Sequence, residues 1–366
     1  MKSAVASVAI GVGLVVPFVA SAQPLNLTFT GPTLDRWVYP FNATPGYRNA
    51  ISVFSALGQE SLAGATFDQR DAQMLVGFDT AGPLSPAGGQ VPAGLGECGY
   101  SITRCVVRVA VVTDLAFPYD STYDAWTTYP TMANPQHVDL DPPGRPIELY
   151  GAAFRAPFTA ETFFEGTSIN PGPPFGPSDP PASDDRYVYA TDAAGGGARD
   201  VSNNVRDEFD PKPFAIGRNA ALAEGQLVPA NTDFTFELNV TDPEVQLFLR
   251  RGLNEGRLRF CITSLQSAVA GGGSGGPGTG QFATFYAKEN VFGSGRRARL
   301  ELTVETSLLG GDVNGDGVVN GADLSVLLST FGTQVLPGFA GDLNCDGLVN
   351  GADLSVLLSN FGRTAS

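Results

Sequence analysis

The sequence predicts a mainly β protein: an antiparallel β-sandwich of the jelly-roll type, followed by a small α-helical module at the C-terminus. The 366 residues include 45 Gly, 27 Pro, 24 Phe and 10 Tyr, a composition typical of short strands joined by turns. Apolar residues also alternate along Phe234, Phe236, Leu238 and Val240, which is the period of a strand with one buried face. A repeat near the C-terminus predicts the helical module.

Residues 1–22 are expected to form a cleaved signal peptide. Lys2 precedes an apolar stretch over residues 4–20, and Ala20 and Ala22 form an A-x-A cleavage motif. A membrane anchor is the alternative, but the stretch is about as short as the shortest spanning helices, which need ~17–25 residues. No later apolar run is long enough to span a bilayer. We therefore expect an exported protein, secreted or at the cell surface, whose mature chain begins near Gln23.

The charge balance argues against two classes of partner. The chain carries 22 Lys and Arg against 37 Asp and Glu, a formal net charge of −15. Nucleic acids and anionic membranes are bound by cationic surfaces, so neither is expected here. The single histidine, His137, is not accompanied by a strand-to-helix nucleophile elbow of the G-x-S-x-G type. A carboxylate pair for hydrolysis of polysaccharide is the catalytic device that the sequence leaves open.

Residues 23–305 are predicted to form the β-rich domain. Its strand-like runs, in order, are 37–39, 51–54, 74–78, 106–112, 186–189, 234–240, 258–262 and 300–304. One helix interrupts them, with Thr241 as the predicted N-cap, Pro243 in the first turn, and Val245 and Leu249 on its apolar face.

Four cysteines fit an oxidising compartment. Cys98 and Cys105 flank six residues, a spacing that could close a hairpin-like loop by a disulfide. Cys261 lies in a strand-like run and Cys345 in the C-terminal repeat. Four cysteines allow three pairings, and the sequence does not choose among them.

An aromatic segment over residues 118–130 is the candidate ligand-binding site of the β-rich domain. Its aromatic side chains are Tyr119, Tyr123, Trp126 and Tyr129. They could stack on sugar rings while Asp120 and Asp124 hold hydroxyl groups. The alternative is a long loop that its own aromatic residues pin to the sandwich.

Eight short segments of the β-rich domain carry a resemblance to a known family. In order, they are residues 35–39, 42–46, 51–54, 74–79, 242–245, 254–258, 282–289 and 299–302. In these segments the β-rich domain resembles the DNRLRE-type β-sandwich modules of secreted bacterial proteins, some of which bind polysaccharide. The resemblance implies the sandwich and no particular binding site.

The C-terminal repeat consists of residues 312–332, DVNGDGVVNGADLSVLLSTFG, and residues 342–362, DLNCDGLVNGADLSVLLSNFG. The copies lie thirty residues apart and are identical at seventeen of twenty-one positions. Such a close repeat is an internal duplication of one structural unit.

Each copy has the spacing of a calcium loop, in which oxygen ligands come from positions 1, 3, 5, 7, 9 and 12. The predicted ligands of the first ion are Asp312, Asn314, Asp316, the carbonyl of Val318, Asn320 and Asp323. Those of the second ion are Asp342, Asn344, Asp346, the carbonyl of Leu348, Asn350 and Asp353. Gly317 and Gly347 stand at position 6, where the chain turns sharply. The sequence therefore predicts two Ca²⁺ ions.

A helix is predicted to follow each loop. Leu324, Leu327, Leu328 and Phe331 recur with helical spacing, and the second copy repeats this apolar stripe. No helix precedes either loop, so each unit is half of an EF-hand, and the two halves should pack together. This arrangement, with Asp at position 12, resembles the type I dockerin over residues 312–362, and we assign residues 306–366 to that domain.

The resemblance implies a cohesin domain as partner, bound at the start of the helices, where loop positions 10 and 11 of dockerins often carry Ser-Thr. The corresponding residues are Gly321, Ala322, Gly351 and Ala352. The favoured function is a non-catalytic exported protein whose dockerin anchors a β-sandwich, itself a candidate carbohydrate binder, to a cohesin-type partner or extracellular assembly. The alternatives are a polysaccharide hydrolase or lyase that carries a dockerin, and a structural protein of the cell envelope.

Overall fold

A computed structural model describes residues 24–39, 46–55, 70–81, 90–129, 134–140, 142, 144–165, 186–192, 199–268, 282–306 and 309–364. The expected signal peptide, residues 1–22, lies outside the described residues. Within them, no helix combines the length and the apolar composition that crossing a membrane requires.

Twelve strands are found in the described part of the chain. They are β1 (Leu25–Phe29), β2 (Leu34–Val38), β3 (Ala50–Val53), β4 (Gln73–Asp79), β5 (Ser101–Ala110), β6 (Ile147–Phe154), β7 (Val188–Thr191), β8 (Ala215–Ile216), β9 (Asp233–Glu237), β10 (Arg257–Ser264), β11 (Ala283–Tyr286) and β12 (Arg299–Glu305). One sheet has the order β1-β12-β5-β9, a larger one the order β2-β4-β10-β6-β7 with β8 beside β6, and β11 pairs with β3. Every pairing is antiparallel, which confirms the predicted fold class.

One apolar core lies between the two larger sheets. Phe234 and Phe236 of β9 and Leu300 of β12 contribute from the smaller sheet, and Val76 and Phe260 contribute from the larger one. All five are at most 1% exposed. Along β9 the intervening Thr235 is only half-buried, so the predicted alternation is present. Burial of such side chains, at ~25 cal/mol per Å² of apolar surface, holds the two sheets together.

Helix α1, Pro243–Asn254, packs on this sandwich. Its predicted apolar face is confirmed, since Val245 is 4% and Leu249 0% exposed. The predicted N-cap was wrong by one residue. The Asp242 carboxylate accepts the N–H of Glu244 at 3.0 Å, whereas the hydroxyl of Thr241 donates to Asn239 Oδ1 at 2.7 Å.

The C-terminal module contains α2 (Gly321–Ser329) and α3 (Gly351–Ser359). Its core is formed by Val319, Leu327, Val349 and Leu357, all 0% exposed. The two copies pack across each other: a Cβ added to Gly311 would lie 3.0 Å from the Cα of Leu357, and one added to Gly341 would lie 3.0 Å from the Cα of Leu327. Glycine is required at both positions by this close approach and by a φ of +99°.

The predicted apolar stripes are buried only in part. Leu324 and Leu327 of α2 pack into the small core, but Leu328 is 53% and Phe331 46% exposed. The second copy behaves alike, with Leu358 55% and Phe361 51% exposed. Two nine-residue helices cover only one narrow face of each other, so the rest of each stripe stays at the surface.

The predicted pairing of Cys98 with Cys105 was wrong. Cys98 forms a disulfide with Cys345, across a Cα–Cα distance of 6.0 Å, and Cys105 is a buried free thiol. Cys105 is the fifth residue of β5, and a strand extends by ~3.3 Å per residue. Even the first residue of β5 is therefore about 13 Å away from Cys105, and Cys98 precedes that residue. A disulfide requires Cα atoms within about 7 Å.

Candidate calcium centre and docking surface

The first loop folds around its own carboxylates. The Asp312 carboxylate accepts the N–H groups of Gly315 and Gly317, both at 2.8 Å. The Asp323 carboxylate, from the first turn of α2, accepts those of Val313 and Asn320, also at 2.8 Å. Burial by itself would raise the pKa of Asp323, but the backbone donors outweigh it and lower that pKa below its usual value.

These hydrogen bonds bring the carboxylates together. Asp312, Asp316 and Asp323 each offer a carboxylate oxygen within 4.8 Å of those of the other two. Gly317 at position 6 has a φ of +82°, which makes the sharp turn. Hard oxygen donors on such a loop fit Ca²⁺, which is bound at ~2.3–2.6 Å. The residues present therefore suit the ion that the spacing predicts.

The second loop repeats this framework with one difference. The Asp353 carboxylate accepts the N–H groups of Leu343 and Asn350, both at 2.8 Å. Asp342 accepts from Gly347 at 2.9 Å and additionally from Gly338 at 3.1 Å. Asp342 is 2% exposed, since the segment that contains Gly338 covers it. The two loops thus share a backbone framework, while the first aspartate of the second loop is more enclosed.

Position 9 has a role that the ligand pattern did not reveal. The side chains of Asn320 and Asn350 accept the N–H groups of Ala322 and Ala352, both at 2.7 Å, and so cap α2 and α3. In each copy the position-12 aspartate closes a capping box. The loop and the start of its helix are therefore one unit, and the asparagine that precedes the helix could have indicated this cap.

The predicted docking residues are at the surface. Gly321, Ala322, Gly351 and Ala352 are all exposed at the first turns of α2 and α3. On the same two helices, Leu328 and Leu358 are more than half exposed. These exposed leucines leave apolar side chains of both helices accessible to another molecule.

The family comparison agrees with this geometry: the dockerin type I domain family matches residues 310–361. The C-terminal region is a dockerin. Among solved structures, the type II cohesin-dockerin domain from Bacteroides cellolosolvens is similar, with 44% identity over 16% of this chain and 93% of that chain, and a TM-score of 0.15. A comparison with curated proteins finds no significant match. Type I dockerin domains bind calcium, whereas the resemblance of the β-rich domain to DNRLRE-type modules stays a prediction.

The dockerin is attached to the β-rich domain by more than the intervening chain. Besides the Cys98–Cys345 disulfide, the guanidinium of Arg250 on α1 donates to the carbonyl of Gly338 at 3.3 Å. The same guanidinium lies 4.8 Å from the ring centroid of Phe339. These contacts hold the segment before the second calcium loop against α1.

The candidate sugar-binding aromatics are mostly enclosed by protein. Tyr119 is 4% and Trp126 9% exposed, and the guanidinium of Arg145 lies 3.6 Å from the ring centroid of Tyr129. Tyr123 is 38% exposed. Asp124 forms an ion pair with Arg145 at 3.0 Å, although burial raises its pKa to about 6. This geometry favours the interpretation that the aromatics pin the loop to the sandwich.

Trp126→Ala should therefore act on stability. Loss of a buried tryptophan costs about 3 kcal/mol, and we expect a clear drop of the melting temperature in calorimetry. Tyr123→Ala, in the same loop but more exposed, is the matched control and should lower it much less. Unchanged melting of Trp126→Ala, together with lost retention on polysaccharide, would instead identify a sugar platform.

Proposed function

We propose that this protein is an exported, non-catalytic assembly module, in which a dockerin loaded with two Ca²⁺ ions attaches the β-rich domain, residues 23–305, to a cohesin-type protein. The observation that carries the proposal is the pair of nearly identical calcium loops, each of which leads into a helix with an exposed first turn. The expected signal peptide over residues 1–22 supports export.

The chemistry of the docking surface supports a close, apolar contact. Gly321 and Gly351 have open space where a Cβ would stand, and the neighbouring residues, Ala322 and Ala352, carry only a methyl group. Neutral small residues of this kind allow another backbone to approach the helix start. Binding through this surface should therefore depend weakly on salt, since charge steering is absent from these positions.

The duplication supports two orientations of docking. Both helix starts present Gly-Ala, and both are exposed in the folded chain. A partner that recognises one copy finds the same surface on the other. Loss of one copy should then reduce affinity only about twofold, because half of the equivalent docking modes remain.

Replacing the alanine at one or both helix starts by arginine tests whether a partner can dock through either copy. Ala322→Arg or Ala352→Arg alone should weaken capture by immobilised type I and type II cohesin domains about twofold. The double variant should lose at least about 100-fold, because either docking mode then buries an unpaired charge, which costs several kcal/mol. Calcium binding should persist, since neither side chain is a ligand.

The matched control replaces two exposed alanines of the β-rich domain, Ala221→Arg with Ala223→Arg, and should bind as the unaltered chain does. Equal capture by the double docking variant would overturn the proposed surface. Release of reducing sugars from a polysaccharide panel by the full chain would contradict the non-catalytic part of the proposal.

A further inference from the structure

A second group of carboxylates lies in the β-rich domain, far from the dockerin loops in sequence. Asp35 belongs to β2, Glu165 follows β6, and Glu289 follows β11. Each offers a carboxylate oxygen within 4.8 Å of those of the other two. Asp35 is 1% exposed, while Glu165 and Glu289 are half-buried. Three segments that are distant in sequence therefore bring their carboxylates into one cluster.

The ammonium of Lys288 neutralises the negative charge of one carboxylate of this cluster, that of Glu165. The ammonium of Lys288 forms an ion pair with Glu165 and donates to the carbonyl of Thr33 at 3.1 Å. The other oxygen of Glu165 accepts the N–H of Asp35 at 2.7 Å. The same ammonium lies 3.9 Å from Glu289 Oε1, which is the outer limit of an ion pair. Lys288 thus neutralises Glu165 more closely than it neutralises Glu289.

The nearby guanidinium, that of Arg36, contacts the two residues that precede Glu165. Arg36 donates to the carbonyl of Phe164 at 2.6 Å, and its guanidinium carbon lies 5.2 Å from the ring centroid of Phe163. Burial lowers the pKa of Arg36 to about 10, and the negative charge of Glu165 partly offsets this effect.

Two buried oxygen atoms of the cluster have no hydrogen-bond donor in the described part of the chain. They are Asp35 Oδ1 and Glu289 Oε2. Asp35 Oδ2, in contrast, accepts the N–H of Lys288 at 2.7 Å. Burying a polar atom without a partner costs about 1–3 kcal/mol, and more for a charged group. A cation held between Asp35 Oδ1 and Glu289 Oε2 would satisfy both atoms.

We propose that Asp35, Glu165 and Glu289 bind a Ca²⁺ ion in the β-rich domain, at a site separate from the dockerin loops. All three ligands are hard oxygen donors, which favours Ca²⁺, Mg²⁺ or Mn²⁺ over softer metals. Mg²⁺ demands near-ideal octahedral geometry and keeps several waters, whereas Ca²⁺ accepts flexible arrangements of oxygen ligands. Three carboxylates that come from separate segments and lie close together suit the ion with the less demanding geometry, Ca²⁺. The ion would link β2 to the segments that follow β6 and β11.

The test uses the full chain with both dockerin loops disabled by Asp323→Ala and Asp353→Ala. After equilibrium dialysis against calcium alone, metal analysis should find one ion per chain. Adding Glu289→Gln should weaken this binding at least tenfold, and adding Asp35→Asn as well should abolish it. Asp79→Asn in the same background is the matched control. It removes a carboxylate that pairs with Arg259 in the same sheet, and it should leave the ion bound.

The background variant decides the question without any change to the cluster. If it binds no calcium, the proposal is overturned, and Asp35 and Glu289 share a proton instead. If it binds one ion and Glu289→Gln leaves the affinity unchanged, the ion lies elsewhere and the proposal is likewise overturned. Because Glu289 is half-buried, its replacement by the isosteric glutamine is the variant least disturbing to folding. Cohesin capture plays no part in these measurements, so they stand apart from the proposed function.

Discussion

Removal of calcium is expected to unfold the dockerin. Without the ion, Asp312, Asp316 and Asp323 repel one another inside a single loop, and the second loop carries aspartates at the same three positions. Isolated helices shorter than ~12–15 residues are marginal in water, and α2 and α3 have nine residues each. Binding therefore supplies folding free energy, about 4 kcal/mol for one site when free calcium exceeds the dissociation constant a thousandfold.

Far-UV circular dichroism of residues 308–366 measures this directly. Addition of a chelator should abolish the helical signal, and excess calcium should restore it. Magnesium at the same concentration is the control, because its smaller ion needs near-octahedral geometry at shorter distances. A helical signal and a melting temperature that are unchanged by chelation would contradict the assignment of the loops as calcium sites.

Breaking the disulfide is expected to release the dockerin from the β-rich domain. The Cys98–Cys345 bond joins residues that are 247 positions apart, and it supplements the non-covalent contacts of Arg250 with Gly338 and Phe339. Removing a native disulfide typically costs about 2–5 kcal/mol. Cys98→Ser should therefore lower the melting temperature and increase the radius of gyration in small-angle scattering, since the dockerin no longer stays against α1.

The first copy of the repeat supplies a matched second variant. Cys345 has a φ of +60°, and Gly315 at the same loop position has a φ of +74°. Cys345→Gly removes the same disulfide. It also places glycine, as in the first loop, at a position whose positive φ suits that residue. It should release the dockerin as Cys98→Ser does, with better calcium binding in the second loop. Peptide mapping that finds Cys98 joined to Cys105 would show that the assigned connectivity is wrong.

The sequence by itself determined the parts of this protein that depend on local spacing. The ligands of each calcium loop fall within twelve residues, and the helix start follows at once, so ligand positions, turn glycine and helix could all be derived from one short segment. The alternation along β9 and the apolar face of α1 are likewise local. The antiparallel fold class followed from these patterns and from the composition.

Only the tertiary structure decided which distant residues meet. Cys98 pairs with Cys345 and not with Cys105, because β5 extends the chain between the nearer pair. Asp35, Glu165 and Glu289 converge because three separate segments pack together. The partial exposure of the apolar stripes on the two dockerin helices could not be predicted either. Periodicity shows that a helix has an apolar face, but not how much of that face a neighbour covers. Spacing along the chain fixes contacts within a loop or helix, whereas contacts between segments depend on how the whole chain packs.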